Sequence, residues 1–288
     1  MSSAATQRVR PLLGTLVRMR CEGLAQPRAL LAIEAAFAEI ARIHALMSFH
    51  DRDSDLSRLH RAPGIAVAVA PQTRQVLESA LRIAAVSDGC FDPTIAPQLV
   101  SWGFLPRPSP SIDPDPRADW RDIELVDSTH VRLARPLWID LGGIAKGYAV
   151  DRALEILVEA GATQVAVEAG GDLRVAGPCA EPIYLRDGMG GMDASPLAEI
   201  GNGAFATSCG NAERRYIDGR WCSVHVDPRT RGPAETIAHA CVAAPSCMIA
   251  DALTKVVLAA DEAHARRVLV MFGAEGHLLH RPRWGAAA

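Results

Sequence analysis

Apolar positions recur at helical spacing between residues 28 and 47, where Leu30, Ile33, Phe37, Ile40 and Met47 share one face. A second helix is predicted over 71–87, opened by Pro71 and stopped by Asp88-Gly89. Two more close the chain at 246–260 and 261–272. Runs of short, β-rich sequence predict strands at 12–21, 123–126, 131–134, 136–141, 165–168, 173–176, 183–185, 205–207 and 240–244. A hairpin over 214–217 and 221–226 turns on Ile217-Asp218-Gly219-Arg220. Prolines at 106, 108, 110, 114 and 116 make 105–120 an extended surface loop. Strands and helices mix without regular βα alternation, so the expected class is α+β: mixed sheets with flanking helices. One domain is expected over 11–280, with flexible ends at 1–10 and 281–288.

Composition narrows the partners. The chain has 288 residues, 49% hydrophobic and 22% charged, as in an ordinary globular protein. A formal net charge of −3 excludes nucleic acid as the main partner, since phosphate-backbone affinity needs a basic surface. Seven cysteines, without a C-x-x-C, read as reduced thiols, and nine histidines show no metal spacing. The apolar stretch at 240–260 is broken by Pro245, Asp251 and Lys255, so no transmembrane helix is expected. The mostly apolar patch at 12–17 is too short for a signal-peptide core, which gives a cytoplasmic expectation for the chain as it stands.

The stretch with most chemistry is Trp138-Ile-Asp-Leu-Gly-Gly-Ile-Ala-Lys-Gly-Tyr-Ala-Val-Asp151. It reads as a strand, a turn at Gly142–Gly143 and a helix running to about residue 160. Glycine admits close backbone approach, and the helix start offers free N–H groups and a positive dipole end, a combination suited to phosphate oxygens. Asp140 and Lys146 flank the corner. Its spacing is neither the P-loop nor the Rossmann fingerprint.

Asp251, Thr254 and Lys255 stand at i, i+3 and i+4 on one predicted helix face. That set suits a hard cation or a phosphate, although a solvated face has the same spacing. Glu168-Ala-Gly-Gly-Asp172 has the profile of a ligand-facing loop or of a plain turn. Phe91-Asp92-Pro93-Thr94 and Ser101-Trp102-Gly103-Phe104 bracket a short helix that Asp92 is expected to cap, and the two aromatics are candidates for stacking on a flat heterocycle or for filling the core. His225, beside Val226-Asp227-Pro228, is a candidate general base or a spectator.

The order of these segments is more specific than any one of them. Leu13-Gly14-Thr15, Met47-Ser48-Phe49 with 54–59, Phe91–Thr94, Trp102–Phe104, Asp140–Asp151, Gly170-Gly171-Asp172, Ala206-Thr207-Ser208, Asp227-Pro228-Arg229-Thr230 and Ala250-Asp251-Ala252-Leu253 occur in one succession. That succession resembles the ApbE-type FAD:protein FMN transferase family over roughly residues 11–272. The resemblance implies a magnesium-dependent transfer of the FMN part of FAD to a threonine of a target flavoprotein, with release of AMP. Its alternatives are an FAD pyrophosphatase giving FMN and AMP, or an FAD-binding protein with impaired catalysis. Carried over by position, Phe49 and Trp102, Gly103 and Phe104 line the FAD site, Asp140 and Lys146 contact the dinucleotide, and Val226 touches it through its main chain. Gly143, through its carbonyl, and Asp251 bind magnesium, and Asp251, His225 and Lys255 are the catalytic candidates. Three positions depart from the family pattern. Lys255 stands where the family has threonine, leaving Thr254 one place early as the remaining metal ligand; His225 is one place late; and Arg231 intervenes before Gly232. The resemblance adds the periplasm as the alternative compartment, should the start be truncated.

Overall fold

A computed structural model of the chain describes residues 5–110, 112–184, 196–209, 214–234 and 239–279. Its frame is a seven-stranded antiparallel sheet whose spatial order follows the chain. The strands are β1 (Thr6–Leu12), β2 (Thr15–Glu22), β3 (Gln164–Ala169), β4 (Asp172–Ala176), β5 (Gly203–Cys209), β6 (His239–Ala244) and β7 (Glu275–Leu279). Alternation sets the two faces. In β2, Val17, Met19 and Cys21 are buried while Leu16 and Arg18 are exposed. In β3, Val165, Val167 and Ala169 join the same core. The opposite face of β5 and β6 carries Phe205 and Cys241, packed with Ile183 in a smaller cluster.

Seven helices occur among the described residues: α1 (Gln26–Met47), α2 (Asp55–Arg61), α3 (Pro71–Val86), α4 (Ala96–Ser101), α5 (Ala145–Glu159), α6 (Cys247–Ala259) and α7 (Glu262–Met271). Helix α5 packs between α1 and α6, and α6 lies across β5 and β6. The face of α1 seen in the sequence is the packed one, with Ile33, Phe37, Ile40 and Met47 buried. Helix α6 starts where Ser246 accepts a hydrogen bond from the Ile249 amide at 3.4 Å, and α7 where Asp261 accepts one from the His264 amide at 2.8 Å. No helix among the described residues is long and apolar enough to cross a membrane.

The architecture is α+β, with several sheets and flanking helices. Four local expectations are corrected. Residues 6–10, expected as a loose end, form most of β1, and the predicted strand 12–21 is interrupted by a tight turn at Leu13 (φ 55°) and Gly14 (φ 71°). Residues 136–141 are extended but pair with no strand: the Ile139 amide donates to His60 Nε2 at 2.8 Å and the Asp140 amide to the Pro93 carbonyl at 2.8 Å. The strand placed at 183–185 is Glu181–Ile183, and residue 185 lies outside the described residues. The second arm of the hairpin ends at Cys222, and Val226–Asp227 pairs instead with Gly232–Pro233. The end segment 281–288 also lies outside the described residues.

Candidate functional site

The glycine corner lies at the surface where α5 begins. Gly142 is exposed and Gly143 partly so, while Leu141 and Ile144 on either side are buried. The Asp140 carboxylate accepts the Gly142 amide at 2.9 Å, which holds the bend. Burial pushes the Asp140 carboxyl up from its ordinary value, against that hydrogen bond and the charges of His50 and Lys255.

Helix α5 brings its first turn against the start of α6. A side chain at Gly147 would place its Cβ 2.3 Å from the Cys247 carbonyl oxygen, so only glycine allows this approach. Asp151, one turn on, accepts the Cys247 and Met248 amides at 2.8 and 2.9 Å and thereby caps α6 from another helix. Burial raises the Asp151 carboxyl to about 6 despite those bonds. The crossing sets Lys146 and Asp251 beside each other.

Four charges meet there. Lys146 pairs with Asp172, the first residue of β4, and Lys255 pairs with Asp251. Asp251 also accepts the Gly147 amide at 3.2 Å through its second oxygen, and its carbonyl accepts from Lys255 Nζ at 3.1 Å. The pairs are layered. The side chains of Asp172 and Asp251 are 1% exposed, those of Lys146 and Lys255 24% and 23%. Burial and then the Asp251 charge push the Asp172 carboxyl up, outweighing the opposing pull of Lys146 and Lys255. Burial would raise Asp251 too, but Lys146 and Lys255 outweigh it and hold that carboxyl below its ordinary value. Burial works to lower the Lys146 ammonium, yet Asp172 and Asp251 overcome it and keep that group protonated. The lysine side chains are the more exposed member of each pair.

The predicted metal ligands do not form a cation cage. Both Asp251 oxygens have protein donors, and Thr254 Oγ1 bonds to the Asp251 carbonyl at 2.6 Å and to Ser208 Oγ at 2.7 Å. Thr254 thus points into the sheet side of α6, away from the pairing its i+3 spacing with Asp251 suggested. A Cβ at Gly143 would lie 3.3 Å from Lys255 Cε, so the lysine stem fills the space beside that turn. Among the described residues no group of three or more His, Cys, Asp or Glu side chains is placed to hold a metal ion. Magnesium usually keeps several waters and takes one or two carboxylates with substrate phosphates, but Asp251 here is already paired with Lys255, and each like-charge pair 4 Å apart near a protein surface costs about 4 kcal/mol. With two ammonium groups already present, the residues do not fit a resident dication.

His225 is half-buried and within electrostatic reach of Lys255 and Asp251. Burial, and then Lys255, lower its imidazole to about 4, so it is neutral at pH 7. It stands just before the short strand Val226–Asp227. Val226 is buried and packs with Trp102, Leu99 and Cys222. Phe49 packs in a second cluster with Ala96 and Trp138, its ring 5.6 Å from that of His60. Phe104 is partly exposed and is covered by the Arg215 guanidinium at 4.7 Å, whose Nη1 donates to the Gly103 carbonyl at 2.6 Å. Asp92 does not cap α4: it accepts the Thr94 amide at 2.7 Å and pairs with Arg231 at 2.8 Å. The intervening arginine therefore ties the Asp227–Gly232 loop to the segment beneath Asp140. Two residues of the corner carry no role in the sequence reading. Asp172 had signalled itself by the double glycine before it, whereas Ser208 was marked only by its place in the motif order.

Residues 13–275 match the model of the ApbE family. An FAD:protein FMN transferase of Vibrio cholerae is 30% identical over 231 residues, covering 74% of this chain and 69% of that protein. One of Haemophilus influenzae is 28% identical over 233 residues, with coverage of 74% and 67%. Among solved structures, the ApbE protein of Thermotoga maritima superposes with a TM-score of 0.82 at 28% identity, over 96% of this chain and 94% of that one. The Pseudomonas stutzeri flavinyl transferase ApbE, in its apo form, shares the fold at a TM-score of 0.81 and 21% identity, over 98% and 93%. On the match over 13–275 and the 30% identity to the Vibrio relative, this chain belongs to the ApbE family.

Proposed function

We infer that this chain is an FAD:protein FMN transferase, which moves the FMN moiety of FAD onto a target flavoprotein and releases AMP. The observation that carries the reading is the layered corner, with Lys146 and Lys255 outermost over buried Asp172 and Asp251 at the N-terminal end of α5. Phosphoryl transfer asks for positioning and charge neutralisation more than for covalent chemistry by the enzyme. Two lysine side chains, set at the positive end of a helix dipole, offer both to a diphosphate.

In this reading an acceptor hydroxyl, that of a threonine, attacks the phosphorus on the flavin side. A new P–O ester forms, the P–O bond to the AMP phosphate breaks, and AMP leaves with the bridging oxygen. Lys146 and Lys255 hold the diphosphate oxygens. His225, neutral at pH 7, is the candidate to take the hydroxyl proton. Asp140 orients the Gly142–Gly143 turn, and the Phe49, Trp102–Phe104 and Val226 region receives the ring system. The magnesium implied by the family resemblance has no donor set of its own here, so charge neutralisation is assigned to the lysines.

The test is incubation with FAD and an acceptor domain carrying a threonine, followed by denaturing electrophoresis and flavin fluorescence. Covalent FMN on that threonine, with equimolar AMP, is the expected result. AMP released without an acceptor identifies a pyrophosphatase instead, and no covalent flavin on any threonine-bearing acceptor overturns the transferase reading.

A further inference from the structure

We propose that the Lys255 ammonium is the built-in cation of this corner, and that the protein holds the FAD diphosphate without a divalent ion. The proposal rests on the transferase reading and concerns how its charge problem is solved.

Three independent contacts place Lys255 where a dication would have to sit. Its Nζ lies on Asp251 Oδ1 and 3.1 Å from the Asp251 carbonyl, so one helical turn supplies it with two oxygen partners. Its stem runs against Gly143, within 3.3 Å of the point a Cβ would occupy there. Thr254, the hydroxyl that could replace the lysine as a ligand, is held by Ser208 and the helix carbonyl. Exposure gives the direction of use: the lysines face outward and the carboxylates are sealed behind them. An ammonium has three N–H groups, and with two given to Asp251 the Lys255 Nζ has one left to donate to phosphate.

The experiment is FAD binding by fluorescence quenching on the full chain, in EDTA and in magnesium, together with manganese binding by electron paramagnetic resonance. For the wild type, FAD affinity should be the same in EDTA and in magnesium, and manganese alone should not bind. Lys255→Thr, which removes the ammonium and adds a hydroxyl, should weaken FAD binding in EDTA by roughly ten- to hundredfold. Magnesium should restore much of that loss, and manganese should now bind. Lys255→Met should lose FAD affinity by a similar factor in both buffers, which separates lost charge from gained metal. Circular dichroism melting of each variant checks that α6 is intact. Wild-type affinity that collapses in EDTA and returns with magnesium overturns the proposal and leaves the transferase reading standing. Failure to bind FAD in either buffer removes that reading and the proposal with it.

Discussion

At the glycine corner, the side chains of Lys146 and Lys255 are 24% and 23% exposed over two sealed carboxylates; on the aromatic side, Phe49 and Trp138 share one buried cluster and Trp102 fills another. The corner is already arranged for a ligand. Its groups are charged, fixed by neighbours on three elements, and outward-facing. The aromatic side is arranged as core, with only Phe104 partly exposed, under Arg215. A flavin that uses both must displace packed side chains at its ring end and almost nothing at its diphosphate end. Preorganisation differs between the halves, so substitutions should separate them.

The largest effect is expected from Lys146→Met. It leaves Asp172 buried without its partner, which costs about 3–5 kcal/mol of stability, and it removes half of the cationic surface. Urea denaturation should show the first loss, and ADP titration, which offers a diphosphate without the flavin, the second. Adding Asp172→Leu should recover stability and not ADP affinity. Recovery of both would place the function of Lys146 in folding alone. Next comes Trp102→Ala, with a cost of about 3 kcal/mol from the vacated cluster and no change in ADP affinity. A fall in ADP affinity would dissolve the division between the two halves. Gly147→Ala should cost about 2 kcal/mol, because its Cβ would collide with the Cys247 carbonyl and part α5 from α6. Urea midpoints measure it.

A further effect is one of pH. His60 is 2% exposed, and its Nε2 accepts the Ile139 amide; burial and then Arg61 lower its pKa from 6.5 to about 3. The unfolded chain therefore binds a proton below pH 6.5 that the folded chain refuses until about pH 3. Its contribution is complete above pH 6.5 and is lost as pH falls from there toward 3. His60→Gln keeps an acceptor for Ile139 and should flatten that part of the stability profile. An unchanged profile would show that His60 is not what makes the segment leading to Asp140 acid-sensitive.

The parts of this fold that local chemistry decides could be read from the chain alone. The apolar face of α1 and the starts of α6 and α7 fall within a residue or two of their predicted places. Strand β1 escaped notice because its turn is Leu13-Gly14, where a leucine takes the left-handed conformation that Asn or Asp usually marks. Residues 136–141 read as a strand because Leu137, Trp138, Ile139 and Leu141 are buried, yet their backbone partners are an imidazole and a proline carbonyl distant in sequence. In the site, the spacing of Asp251 and Lys255 placed them on one helix face, where they pair with each other. Nothing local announced that Lys146 would reach Asp172, 26 residues on, or that Thr254 would turn to Ser208. Those contacts depend on the α5–α6 crossing and on where β4 and β5 lie.

The central claim is that the corner at the start of α5 receives the diphosphate of FAD. A crystal structure of the chain with FAD tests it most directly. The account predicts diphosphate oxygens within hydrogen-bonding distance of both Lys146 Nζ and Lys255 Nζ, over the Gly142–Gly143 turn. A diphosphate bound elsewhere, with both lysines still paired only to Asp172 and Asp251, would contradict it.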